Sequence, residues 1–204
     1  MLRAAIAVAD EVGVESLTMR RLGRHLGVEA MSLYKHVAGK DEILDGIVDI
    51  VIGEIDLPSA SADWKPAMRQ RANSARQVLA SHPWAIGMLE SRGAMGPAAM
   101  RYVDAVIGRL RAGGFSVEMA AHAFVLLDSY IYGFVVQELS FPVGISEENT
   151  EPARAVLQTL PADRYPHLAE MAGEHVATPG RTYADAFDFG LGLILDGLET
   201  HRNG

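Results

Sequence analysis

The sequence predicts an all-α protein in two helical parts, divided near residue 57, and three observations carry that prediction. Runs of alternating β-branched residues, the mark of half-buried strands, are missing. Apolar residues recur instead at spacings of three and four, as a helix buried along one side requires. Glycines and prolines punctuate the chain at intervals suited to helices of ordinary length. With 204 residues, 49% of them hydrophobic, there is enough apolar surface for a sizeable core.

Each element follows from local chemistry. Leu2, Ile6, Ala9 and Val12 step along one face of a first helix, and Gly13 stops it. Thr18 is placed to cap a second, short helix carrying Met19, Leu22 and Leu26 on its apolar side, and Gly27 ends it. A third helix is expected over 29–36, with Leu22, Leu26, Val28 and Leu33 packing a miniature core. The fourth, over 40–56, carries Ile43, Leu44, Ile47, Val51 and Ile55 and links a part spanning 1–50 to one spanning 57–204. Pro58 and the small residues after it read as a linker. Asp63 opens a helix that ends before Pro83, and a short helix follows through Met88. Gly96 and Pro97 open the next, which Gly113 and Gly114 close. Ser116 is placed to cap a long apolar helix from Val117 to about Leu139. Over 141–180 the composition shifts to five prolines and the acids Glu147, Glu148 and Glu151, which predicts short helices and loops. A last helix is expected over 181–201.

The charge is unevenly placed. The chain carries a net charge of -8, which argues against general affinity for polyanions. Between Thr18 and Lys40, however, stand Arg20, Arg21, Arg24, Lys35 and Lys40 against Glu29 alone, a local balance of +4. There are no cysteines, hence no disulfides or thiolate chemistry, which suits a cytoplasmic location. The N-terminus shows no signal-peptide pattern. The apolar stretch 119–137 contains His122 and Asp128 and lacks basic flanks, so it reads as a buried helix and no membrane partner is expected.

Two short helices joined at a glycine, followed closely by a longer one, make a helix-turn-helix. In that motif the second helix enters the major groove while the first crosses the backbone, and cations are needed only where phosphates pass. The basic island has that position. The stretch "ADEVGVESLTMRRLGRHLGVEAMSLYKHVAGKDEILDGI" resembles the TetR family of bacterial repressors, through "EVGVESLT", "LGRHLGV", "SLYKHV" and "GKDEIL". "DWKPAMRQRANSARQVLASHPW" and "FDFGLGLILDGLETH" are similar to the tetracycline-repressor branch, so the resemblance spans nearly the whole chain.

The resemblance implies a sequence-specific transcriptional regulator, a repressor released from a double-stranded DNA operator by a small-molecule inducer. It implies that Thr18 and Arg20 meet the DNA at the first short helix. Ala30, Met31, Ser32 and Lys35 would face the groove, Tyr34 and His36 would touch backbone, and Lys40 would hold a phosphate. Met31 offers a base edge only apolar contact, such as with a thymine methyl. The second part would bind the inducer and form a homodimer. Trp84, Met88, Leu89, Arg92, Tyr102, Phe124, Asp128, Ile131, Phe134 and Gln137 are the expected ligand contacts, from helix faces that should converge. Phe187, Leu191, Ile194 and Leu198, stepping by four, three and four, are the expected dimer seam beside Gly190, Gly192 and Gly197.

The tetracycline branch holds its drug through a magnesium ion, with a histidine whose position falls here on Leu89 and a carboxylate whose position falls on Gln137. Leucine offers nothing to a hard cation. The expectation is therefore a hydrophobic or amphipathic inducer bound with no metal and no cofactor. His167, Glu170 and Glu174 share one helical face but read as a solvated surface. Two other readings stand beside the regulator: a helical interaction or ligand-binding protein without DNA-binding activity, and a helical enzyme. The second lacks a nucleophile elbow, a His-Glu-x-x-His pair or a phosphate loop.

Overall fold

The computed structural model describes residues 1–91, 95–140, 161–171 and 183–202, and its regular structure is helical throughout those residues. The chain forms two compact units, Met1–Tyr132 with His201–Gly204, and Gly133–Thr200.

The first unit begins with α1 (Leu2–Val12), which buries Ala5, Ile6, Val8 and Ala9. A short turn of 3-10 helix, Val14–Ser16, leads to α2 (Met19–Leu26). Thr18 caps α2 as its sequence predicts, its Oγ1 accepting the Arg21 N–H at 3.1 Å. At the other end Gly27 adopts φ 69°, the left-handed conformation that a side chain would penalise. The Val28 N–H then donates to the Gly23 carbonyl and the Gly27 N–H to that of Arg24, a Schellman closure. Gly23 also admits the returning chain: a Cβ there would lie 2.8 Å from the Val28 carbonyl oxygen.

α3 (Ala30–Leu33) is shorter than the expected 29–36, and residues 34–36 continue as tight turns. The miniature core also differs from expectation. Leu22 and Leu33 are buried, but Leu26 is 36% and Val28 44% exposed. Leu26 ends α2, and the reversal at Gly27 turns both side chains outward. Val14, Leu17 and Val37 are buried in this part of the chain.

α4 (Lys40–Gly53) buries Ile43, Leu44, Ile47, Val48, Val51 and Ile52 and packs on α1, α6 and α7. α5 (Trp64–Ser81), α6 (Trp84–Ser91), α7 (Pro97–Ala112) and the first part of α8 (Val117–Ser140) complete the unit. The Ser116 hydroxyl accepts from the Met119 N–H, capping α8 as expected. His82 ties α1 to the end of α4: its Nδ1 lies 2.8 Å from Asp10 and its Nε2 3.2 Å from Glu54. α8 has the length and hydropathy of a membrane span. Its buried residues Ala120, Ala123, Leu127, Ile131 and Val135 nevertheless recur every three or four positions, the pattern of a helix with one face in a protein core.

The second unit holds the end of α8, α9 (Pro166–Met171) and α10 (Tyr183–Thr200). Phe134 meets Phe187 and Tyr183 edge to face, with ring centres 5.0 and 6.1 Å apart. Most of the proline-rich segment expected over 141–180, including Glu147, Glu148 and Glu151, lies outside the described residues.

Candidate functional site

The basic island folds into one exposed surface. Arg20, Arg21 and Arg24 lie on α2 and Lys35 follows α3, all exposed, while Lys40 is half-buried at the first position of α4. Among the described residues none of these five has an ion-pair partner. A solvated charged face commonly laces itself with acids; this one holds its cations uncommitted. Lys40 is notable because a cation at a helix N-terminus opposes the helix dipole. Asp41 and Glu42 share that turn, and Glu42 accepts the Ala38 N–H at 2.6 Å.

The other predicted DNA residues sit on the same short stretch. Met31 is 74% exposed at the centre of α3, and Tyr34 and His36 are exposed beyond it. Ala30 and Ser32 are half-buried, and the Ser32 hydroxyl donates to the Glu29 carbonyl at 2.7 Å. Thr18 keeps its hydroxyl hydrogen for an outside acceptor, since its oxygen is the group engaged in the cap.

A cavity of about 270 Å³ lies in the first unit, close to the lower bound of ordinary small-molecule sites. Leu89, Tyr102, Phe124 and Asp128 line it, as the sequence led one to expect. Five further lining residues, Asp45, Val48, Asp49, Ile52 and Ile55, come from α4 and the residues just after it. Met95, Gly96, Ala99, Val103 and Tyr132 complete the wall. The remaining expected contacts fall elsewhere. The Trp84 indole N–H donates to Asp10 on α1, 2.7 Å away, because the α5–α6 turn carries it to that carboxylate. Met88 and Ile131 do not line the cavity, and Ile131 is core. Phe134 and Gln137 belong to the second unit, and Arg92 lies outside the described residues.

A buried polar cluster adjoins the cavity. Arg71 on α5 is fully buried and pairs with Asp128 on α8. Its Nε donates to the Tyr102 hydroxyl at 2.5 Å, and the Tyr132 hydroxyl donates to Asp128 at 3.3 Å. Burial raises the Tyr102 and Tyr132 hydroxyls above the ordinary phenol range, so both keep their protons. Arg71 was missed in the sequence, although a signal existed. It stands within the stripe Trp64, Ala67, Met68, Ala72, Ala75 and Leu79, where a charge must find a buried partner.

One contact joins α4 to α7 at the edge of the cavity. Asp49 accepts the N–H groups of Ala98 and Ala99 at 3.0 and 2.9 Å, capping α7 from another helix. Gly96 makes room for it: a Cβ there would lie 2.3 Å from the Asp49 carboxyl carbon.

Most of the expected dimer seam is covered by the chain itself. Phe187, Leu191 and Leu198 are buried inside the chain and Ile194 is half-buried, whereas Phe189 and Leu193 stand 72% and 60% exposed. Residues four and seven apart share a helix face, and in α10 that face is occupied by the protomer's own core. His167 and Glu170 are exposed and 3.9 Å apart, with Glu174 outside the described residues. No cluster of three metal-ligating side chains occurs among the described residues.

Comparison with known proteins agrees with this geometry. Residues 1–47 match the model of bacterial regulatory proteins of the tetR family, and residues 57–202 that of the tetracyclin repressor-like C-terminal domain. The transcriptional repressor DrrR1 of Streptomyces coeruleorubidus is 32% identical over 98% of this chain and 76% of its own length. The class A tetracycline repressor of Escherichia coli transposon 1721 is 29% identical over 99% of this chain and 90% of its own. Among solved structures, Streptomyces coelicolor ActR in complex with actinorhodin superposes with a TM-score of 0.77. It is 28% identical, covering 100% of this chain and 96% of that one. The matched family is one of transcriptional regulators. An exposed helix-turn-helix with uncommitted cations, a cavity against the following helix and two family models covering nearly all the sequence identify this chain as a member of the TetR family of ligand-responsive, DNA-binding transcriptional repressors.

Proposed function

We propose that this protein acts in the cytoplasm as a homodimer that blocks an operator until a hydrophobic or amphipathic small molecule fills the cavity and releases it. The observation that carries the DNA half is the set of cations without ion pairs among the described residues, exposed on α2 and after α3 and half-buried at the head of α4. Thr18, Arg20, Ala30, Met31, Ser32, Tyr34, Lys35, His36 and Lys40 remain the proposed contacts. The ligand half rests on α4 taking part in both sites. Lys40 opens that helix and Asp45 lines the cavity five residues on, about 7.5 Å along the axis. A ligand that displaces the α4 wall therefore displaces the phosphate contact, which makes release a shift between two positions of one rigid rod.

Two copies are needed because one such head reads few base pairs, and paired half-sites lie about 34–36 Å apart or a multiple of that. The second unit leaves Val136 and Leu139 of α8 and Phe189 and Leu193 of α10 exposed, and these apolar side chains are the proposed contact with the second copy. Sedimentation velocity of the wild type should show a dimer at micromolar concentration and a monomer for Leu193→Glu; a monomeric wild type refutes the assembly.

The decisive experiment on function is titration of DNA from upstream of the protein's own gene. Wild type should bind it, and the double variant Arg20→Ala, Lys40→Ala should bind more weakly with a flatter salt dependence. Unchanged binding by the double variant removes the proposed reading surface. Calorimetry with tetracycline, with and without magnesium, tests the metal-free ligand. Micromolar, magnesium-dependent binding that frees the DNA contradicts it.

A further inference from the structure

The chain has no cysteine, so its only oxidisable sulfur lies in nine methionines. An oxidant attacks the sulfur it can reach, so exposure ranks them. Met68 is fully buried, and Met19, Met88 and Met119 are half-buried. Met1 is 36% exposed, and Met95, Met100 and Met171 are 52%, 54% and 51% exposed. Met31 leads at 74%. Its place on α3 explains this. Leu33 is buried and anchors the helix, and two residues away, about 200° round the axis, Met31 stands in solvent. Of the four most exposed methionines, Met31 alone lies in the stretch that carries Arg20, Arg21, Arg24 and Lys35.

We propose that Met31 is an oxidation site through which the protein releases its operator in response to a two-electron oxidant of the peroxide or hypohalous-acid class. This inference rests on α3 being the reading helix. With hydrogen peroxide, the Sδ lone pair attacks one peroxide oxygen, the O–O bond breaks, and a sulfoxide and one water form. The product is polar and carries an acceptor oxygen where the side chain was apolar. Against DNA it forfeits the apolar contact with a thymine methyl. It also turns the negative end of a bond dipole toward a groove rimmed by phosphates. The fold itself is spared, since a side chain this exposed keeps its sulfoxide hydrated. Two thiols return the sulfoxide to the thioether, giving a disulfide and water, in the reaction that methionine sulfoxide reductases catalyse.

The test treats the full-length protein with graded hydrogen peroxide and follows it by peptide mass spectrometry and by titration of the upstream DNA. Met31 should be the first methionine to gain oxygen. Protein oxidised there should bind the DNA about tenfold more weakly, the effect of a polar group left unpaired at a contact. Its thermal midpoint should match that of untreated protein. The two reductases, one for each sulfoxide epimer, should restore binding when supplied with dithiothreitol. Met31→Leu should show one affinity before and after peroxide, whatever that affinity is, while Met100→Leu should respond as wild type does. Bound DNA should slow oxidation of Met31 and not that of Met100. Oxidation of Met95, Met100 or Met171 ahead of Met31 overturns the proposal. So does unchanged binding once Met31 is oxidised, a response that survives Met31→Leu, or a loss of binding that tracks a fall in thermal midpoint. If untreated wild type binds no upstream DNA, the operator reading fails as well, a result distinct from binding that ignores the oxidant. Should Met31→Leu bind too weakly to titrate, protection of Met31 by bound DNA in the wild type decides the matter.

Discussion

Arg20, Arg21, Arg24 and Lys35 stand in solvent with no ion pair among the described residues, whereas Arg71 is fully buried, bonded to Asp128 and Tyr102 and flanked by the Phe124 ring at 5.8 Å. The same side chain serves opposite ends. On α2 the charge is kept hydrated and available, so it contributes little to folding and is free for a polyanion. Inside the first unit the charge is committed, and its removal would strand a carboxylate in the core. Function at the first surface should therefore be separable from stability, while at the cavity the two should be entangled.

The most severe way to expose that contrast is Arg71→Leu. It leaves Asp128 buried and unpaired, so unfolding in urea should show a loss of about 3–5 kcal/mol. Arg20→Ala should do the reverse. Stability should stay within about 0.5 kcal/mol of wild type. Operator affinity should drop by about 1.5–3 kcal/mol if the arginine holds a phosphate by a charged hydrogen bond. The slope of log affinity against log salt should shrink by about one. A comparable stability loss in both variants would erase the distinction. Gly96→Ala sharpens it at the junction: its methyl would collide with Asp49, and thermal unfolding should report about 1–3 kcal/mol of destabilisation. The smallest effect belongs to Met31. Replacing thymine by uracil at the base pair it meets should cost about 0.8 kcal/mol, the burial of one methyl group, and Met31→Ala should make the substitution silent. A uracil operator bound equally by wild type would place Met31 away from a thymine.

The two regions also differed in how far the sequence disclosed them. Thr18, Gly27 and the spacing of Ile43, Leu44, Ile47 and Val51 are local signals, and each marked the element it belongs to, although α4 ends at Gly53 and leaves Ile55 beyond it. The cavity wall is a tertiary product. Tyr102, Phe124 and Asp128 could be guessed from helices expected to converge, but the share taken by Asp45, Asp49 and Ile52 depends on α4 packing beside α7. Periodicity says that α10 has apolar faces without saying which one the chain claims for itself. Phe187 and Leu191 went inward and Phe189 and Leu193 outward, although both pairs have helical spacing. Arg71 was readable in principle, as the one charge inside an apolar stripe, and its partner on α8 was not, being 57 residues away.

The cap that Asp49 places on α7 bears on how such proteins can be recombined. The two family models end and begin at residues 47 and 57, and Asp49 lies in the gap between them. A chimera that borrows the DNA-binding segment of a relative must choose a crossover point in that gap. If it is cut after Asp49, the graft arrives with whatever the donor carries there, and α7 loses its carboxylate unless the donor happens to supply one. If it is cut before, the recipient's carboxylate stays with the helix it was matched to. Two hybrids differing only in that junction, equal in operator affinity, should differ in how faithfully a ligand is heard at the DNA.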